Sequence, residues 1–207
     1  MQIISNPDRD NWDRLLVRPH FETDFLRSSV GNILNRVKNG GDQALFEFNE
    51  RFDGANISSL EVTTSEIQNA IALVDDELKE AIKVAAKNIE SFHTAQKRDT
   101  LEVETMPGVK CWRKSVPIEK VGIYIPGGTA PLFSTVLMLA IPANLAGSDE
   151  IVLCTPPQKD GSVNPVILYR ASLVGVTKIF KVGGAQAIAA MTYGTESIPK
   201  TYKIFGP

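Results

Sequence analysis

Apolar residues follow two rhythms along this chain, and the change comes near residue 100. Before it the period is helical. Phe25, Val30, Ile33, Leu34 and Val37 recur three and four apart, as one face of an amphipathic helix does. Gly40-Gly41 is placed to stop that helix, glycine being the usual residue just past a helix C-terminus. Asp42 is placed to cap a second helix, with Leu45, Phe46 and Phe48 on its apolar face, ending near Phe52-Asp53-Gly54. Leu60-Glu61-Val62 reads as a brief extended segment. Thr63-x-x-Glu66 and Ser65-x-x-Gln68 both satisfy the capping-box pattern, for a helix continuing through Ile67, Ile71 and Val74. Asp75-Asp76 opens a long helix to about residue 97, with Leu78, Ile82, Ala85, Ile89 and Phe92 on one face. The arm ahead of all this, residues 1–21, carries Trp12, Leu15, Leu16 and Val17 and predicts a short helix ended by Pro19. The charged residues of these first hundred positions fall mostly on solvent faces and are assigned no chemistry.

From 101 to 116 the period shortens to two. Residues 101–105 and 109–113 flank Pro107-Gly108 and predict a β-hairpin. Short β-rich runs at 121–125, 151–154, 178–182 and 202–205 then alternate with helical segments at 132–146, 165–173 and 185–192. Asn164-Pro165 is a good helix start, a cap residue followed by proline in the first turn. Strands recurring after helices of this length imply parallel pairing with right-handed crossovers. The expected class is α/β: a helical N-terminal layer and a β-hairpin followed by an incomplete Rossmann-like parallel sheet. The expected division is an arm at 1–21, a mainly helical part at 22–120 and a Rossmann-like part at 121–207. The last strand runs into Gly206-Pro207, where a ligand turn would begin. The sheet therefore reads as incomplete at its C-terminal end.

Composition narrows the setting. At 43% hydrophobic and 22% charged residues the chain is ordinary for a globular protein. A net charge of −2 and a pI of about 5.8 give no field that would draw nucleic acid or a membrane surface. The first ten residues lack the basic and apolar regions of a signal peptide. Two cysteines, Cys111 and Cys154, without metal-like spacing make a reduced cytoplasmic compartment the default.

Candidate chemistry concentrates at glycine turns. Pro126-Gly127-Gly128 and Gly183-Gly184 each follow a predicted strand, and Gly206 follows a third. Any parallel α/β domain needs glycine there, so a plain connection and an anion cradle both fit. A helix N-terminus at such a turn favours an anionic group by about 0.3–1 kcal/mol, enough to position a phosphate and too little to hold a dinucleotide unaided. Tyr124 enters the first turn, either as a core or edge aromatic or as a ring that stacks on a base or ribose while its hydroxyl bonds. Gln186 opens a helix otherwise rich in alanine, either capping or facing a ligand for which the alanines leave room. His20 and His93 are the only histidines and read as structural, and no His, Asp or Glu cluster has zinc-site spacing. Cys154 ends a strand and reads as a small hydrophobe, the alternative being the nucleophile of an aldehyde-dehydrogenase-like enzyme. The residues by themselves describe a nucleotide-binding α/β half with its chemistry elsewhere.

Longer motifs say more. The run from Val121-Gly-Ile-Tyr-Ile-Pro-Gly-Gly to Met138 resembles the signature of the L-histidinol dehydrogenase family. Val182-Gly-Gly-Ala-Gln-Ala-Ile-Ala-Ala190, Gly194-Thr-Glu-Ser197 and Lys203-Ile-Phe-Gly-Pro207 agree with it, as do Gly40-Gly-Asp-Gln-Ala-Leu45 and Asn88 to Lys97 upstream. The resemblance implies oxidation of L-histidinol to L-histidine through the aldehyde, with two NAD+ reduced in succession and a bound zinc ion, in a homodimer whose active site lies at the subunit interface. By that resemblance Tyr124 and Gln186 match NAD-contacting positions. The family's glutamate–histidine acid/base pair and its zinc ligands are expected beyond Pro207, so no catalytic or metal residue is assigned in this chain. The 207 residues alone are expected to be inactive. The helical part is expected to expose an unfilled apolar face. A complete, non-catalytic nucleotide-binding module is the rival reading.

Overall fold

The computed structural model describes residues 3–18, 23–127 and 132–207. In the arm, a 3-10 turn at Arg9–Asn11 runs into α1 (Trp12–Leu15), with the Trp12 indole donating to the Pro7 carbonyl at 3.1 Å. Pro19 and His20 lie outside the described residues, as does Gly128. Helix α2 (Asp24–Phe48) departs from expectation: Gly40-Gly41 kinks it without ending it. Gly41 takes φ 51° and ψ −138°, a conformation that a residue with a Cβ rarely adopts. Asp42 does not cap the second limb with its side chain. Its N–H donates to the Glu196 carboxylate at 2.7 Å, and its own carboxylate accepts from the Ser197 backbone N–H and hydroxyl. Glu196 also fills the space that a Cβ on Gly41 would need. A partner 154 positions away thus does what a local cap was expected to do. Past Phe48 the helix widens into a π-turn, Asn49–Asp53, closed by Gly54 at φ 66°.

Helix α3 (Thr64–Leu73) starts on the Thr63/Glu66 capping box, with Glu66 N–H donating to the Thr63 hydroxyl at 3.2 Å and Thr63 N–H to the Glu66 carboxylate at 2.8 Å. The overlapping Ser65/Gln68 pair is not the box used. Asp75 caps α4 (Asp76–Thr94) by accepting from Glu77 and Leu78 N–H. β1 (Leu101–Met106) and β2 (Val109–Arg113) form the expected antiparallel hairpin, every residue of it exposed.

The alternating half folds as β3 (Lys120–Tyr124), α5 (Phe133–Ala146), β4 (Glu150–Thr155), α6 (Pro165–Leu173), β5 (Lys178–Lys181), α7 (Gly184–Tyr193) and β6 (Lys203–Phe205). The four strands are parallel in the order β5-β4-β3-β6. The expected α/β class, helical layer, hairpin and Rossmann-like sheet are all present. Side chains alternate across the strands and build two cores. Ile123, Ile151 and Leu153 face α5 and α6, which are covered in turn by α3 and α4. Val152, Cys154 and Phe180 face α7, which packs on α2. Residues 60–62 strap the outer edge of β5: Val62 N–H donates to the Ile179 carbonyl at 2.9 Å and Lys181 N–H to the Leu60 carbonyl at 2.7 Å. Large apolar side chains remain exposed on the helical part and the hairpin, among them Phe25, Phe92, Trp112 and Val116. The chain steps outward from β3 to β5 and then returns to the other side of β3. The strand order therefore reverses between β3 and β6, and the crevice at the carboxyl ends of those strands is where open α/β sheets bind ligands.

Candidate nucleotide site at the strand-order reversal

Three strand ends converge on one proline. Pro156, just past β4, sits between the turns that follow β3 and β5. A Cβ added to Gly127 would come 2.5 Å from its Cγ, and one added to Gly183 would come 2.6 Å from its Cβ. Glycine is required at both turns by this close approach, and the result is bare backbone at the edge of the sheet.

Tyr124 and Gln186, the two residues expected to contact a cofactor, are brought together around Gly184. The Gly184 N–H donates to the Tyr124 phenol oxygen at 3.0 Å, linking the end of β3 to the start of α7. With its oxygen accepting, the phenol keeps its own proton for an outside acceptor. Burial raises the Tyr124 pKa above the ordinary tyrosine value, the Gly184 N–H opposes this, and the nearby Asp53 carboxylate adds to the rise. The hydroxyl therefore stays a neutral donor through the physiological range. Gly206, the residue after β6, rests on the same tyrosine, its hypothetical Cβ 3.3 Å from both Tyr124 Cβ and the carbonyl oxygen. The ring is half-buried against the second core, as the packing reading of Tyr124 expects. Gln186 is only 2% exposed. Its amide lies under Gly184, which is at φ +58° and whose Cβ would meet Gln186 Oε1 at 2.7 Å. Of the two readings left open for Gln186, a cap or a ligand contact, the first is not made by its side chain, which is tucked beneath the turn.

Other candidates sort themselves by burial. Cys154 is fully buried in the second core, where burial drives its thiol pKa far up; a thiol held protonated and out of reach is no nucleophile. His93 is half-buried near the end of α4, its Nδ1 2.7 Å from Gln96 Oε1. Among the described residues no group of three or more His, Cys, Asp or Glu could hold a metal ion. None of the described helices is long and apolar enough to cross a membrane.

The sequence reading missed one group at this edge. Asp53 closes the π-turn and lines a cavity of about 240 Å3 with Gly127, Thr155, Pro156 and Asn164. The sequence pattern groups it with the solvent-facing charges of the helical half, because an Asp before a glycine at a helix end carries no sign of where the fold will put it. Beside it, Asn49 is fully buried and donates its amide to the Lys181 carbonyl at 2.7 Å. Lys181 is itself 7% exposed and is paired with Glu66 at the start of α3.

Comparison with known proteins identifies the family. The sequence model for histidinol dehydrogenase matches residues 16–207. Histidinol dehydrogenase of Bacteroides fragilis is 61% identical over 207 residues, all of this chain and 48% of that protein. The Escherichia coli K12 protein of the same name is 52% identical over 195 residues, covering 94% of this chain and 44% of its own length. The crystal structure of histidinol dehydrogenase from Elizabethkingia anophelis superposes with a TM-score of 0.93 at 52% identity, covering 98% of this chain and 47% of that one. The chain thus spans about half the length of the relatives it matches. With the match running through every stretch that builds the crevice, this chain belongs to the histidinol dehydrogenase family.

Proposed function

We propose that this chain supplies the nucleotide-contacting part of an NAD-dependent histidinol dehydrogenase, which oxidises L-histidinol through L-histidinal to L-histidine. The observation that carries the reading is the meeting of Tyr124 and Gln186 around Gly184, at the reversal of strand order in a chain of this family. Residues 121–207 form the cofactor-contacting unit and 22–120 the layer that backs it. The assembled protein is a cytoplasmic homodimer acting on a small molecule, with no role for nucleic acid or a membrane.

The residues present fit a dinucleotide. Pro156 holds the Gly127 and Gly183 turns close with no side chain in the way, so backbone can approach a diphosphate. The N-terminus of α7 favours its negative charge. The Tyr124 phenol donates its free proton to the ligand, and its raised pKa keeps that proton in place. Bound NAD+ would supply the hydride acceptor. The described residues do not fit a zinc ion, so no step in this chain is routed through one. The metal ligands and the acid/base pair belong to the portion of the family's length that this chain does not span.

Calorimetry of NAD+ binding, with and without Zn2+, tests the reading on this chain and on a chain extended to the relatives' length. Tyr124→Ala should weaken NAD+ by about tenfold, the loss of roughly one hydrogen bond and its stacking contact, and leave zinc binding unchanged. Loss of zinc binding instead would move Tyr124 to the substrate site. The extended chain should reduce NAD+ with histidinol, and the 207-residue chain should not. NAD+ binding without turnover in both would favour a non-catalytic nucleotide module.

A further inference from the structure

Among the described residues, two side-chain oxygens of the π-turn after α2 have no donor: Asp53 Oδ2 and Asn49 Oδ1 are closed off from solvent and make no hydrogen bond there. Buried acceptors are nearly always paired, because losing water without a replacement costs free energy. A π-turn is itself a costly local geometry that recurs at functional sites. Asp53 also faces a cavity, of about 240 Å3, that opens on the carboxyl ends of β3 and β4 beside Tyr124. We propose that Asp53 takes the hydroxyls of the adenosine ribose of the dinucleotide, and so makes the site selective for NAD+ over a 2′-phosphorylated nucleotide.

This rests on the nucleotide reading above and adds an anchor and a selectivity to it. The chemistry follows from what the cavity lacks. A carboxylate in want of donors accepts from a diol, while a phosphate brings further acceptors and negative charge against it. Position agrees: in doubly wound sheets the ribose of the adenosine half lies at the end of the strand next to the first one, here β4, whose Thr155 and Pro156 form the cavity wall. Asp53 reaches that place from the helical layer, not from the end of β4 itself. Burial with no compensating partner raises the Asp53 pKa, consistent with a group awaiting its donors. Lys159 stands on the same wall and supplies a positive charge for the neighbouring phosphate.

The test compares NAD+ and NADP+ binding by calorimetry in the wild-type protein and in Asp53→Asn, with thermal unfolding of both. The expected result is about a tenfold loss of NAD+ affinity in the variant, as for a hydrogen bond to a charged group, with NADP+ bound as well as before or more tightly, and the Tm not lowered. An equal loss for both nucleotides, an unchanged NAD+ affinity, or a lowered Tm with unchanged selectivity would overturn the proposal and make Asp53 a structural residue. A wild-type protein that binds neither nucleotide, in this chain or in one extended to the relatives' length, would overturn the nucleotide reading itself. Asp53→Ala serves as the second variant, and loss of selectivity there too is required.

Discussion

Glu66→Ala is expected to destabilise the protein by about 3 kcal/mol, the lower end of the cost of breaking a buried ion pair, and to lower its Tm by about 6–12 °C for a chain of this size. Lys181 is the reason. It is 7% exposed beneath α3, with the Glu66 carboxylate as its ion-pair partner. Removing the carboxylate leaves an ammonium group buried and unpaired, and also deletes one arm of the α3 capping box. Solvent reaches Glu66 itself, whose side chain is 34% exposed, so the upper end of the range is not expected. Burial alone would raise the Glu66 pKa, but the Lys181 ammonium and the Thr63 backbone and hydroxyl hold it below the ordinary glutamate value. A lowered carboxyl stabilises the fold above its unfolded pKa and ceases to do so as pH falls through the folded one. The gap between wild type and variant should therefore be full at neutral pH and shrink in acid. Guanidinium denaturation at several pH values would show it. Glu66→Gln, which keeps the cap but not the charge, should fall between the two.

Gly122→Val should cost a similar amount, about 3 kcal/mol, the upper part of the range for overpacking a filled core. Gly122 sits mid-strand in β3, between β4 and β6. A Cβ there would lie 2.7 Å from Met191 Sδ, 3.0 Å from Thr201 Oγ1 and 3.2 Å from Ile204 Cγ1. The glycine lets α7 come down onto the sheet, and it gives Thr201 the position from which its hydroxyl bonds the Met191 carbonyl at 3.1 Å. Valine would push α7 and β6 outward together. Because α7 carries Gly184 and Gln186, the same change should weaken NAD+ binding as well. Chemical denaturation beside calorimetry would read both effects, and Gly122→Ala should show each in milder form.

Much of the scaffold was legible because its signals are local. The period change near residue 100, the Thr63/Glu66 box, the Asp75 cap and the Asn164-Pro165 start depend on neighbours within a few positions, and each element formed where its signal lay. What escaped depends on residues far apart in sequence. Gly40-Gly41 looked like a helix stop because nothing nearby announces Glu196 and Ser197, which bridge the kink. Leu60-Glu61-Val62 could be read as extended, but its pairing with β5 could not. At the site, residue chemistry left Tyr124 open between packing and binding, and only the family motif chose. Asp53 was invisible for the same reason as Glu196: its role is set by a turn 74 residues later, at Gly127.

The strap on β5 gives the sheet a direction of failure. Residues 60–62 bond one margin, whereas among the described residues β6 pairs with β3 alone, over three residues, and no described strand lies on its far side. Opening should begin at β6 and travel inward. In amide hydrogen exchange, the β6 amides bonded to β3 should lose protection well before those of β5, although both strands are outermost. Gly206 leans on Tyr124, so the first excursion of this fold is also a loosening of its tyrosine, and a bound nucleotide should slow exchange at β6 more than at any other strand.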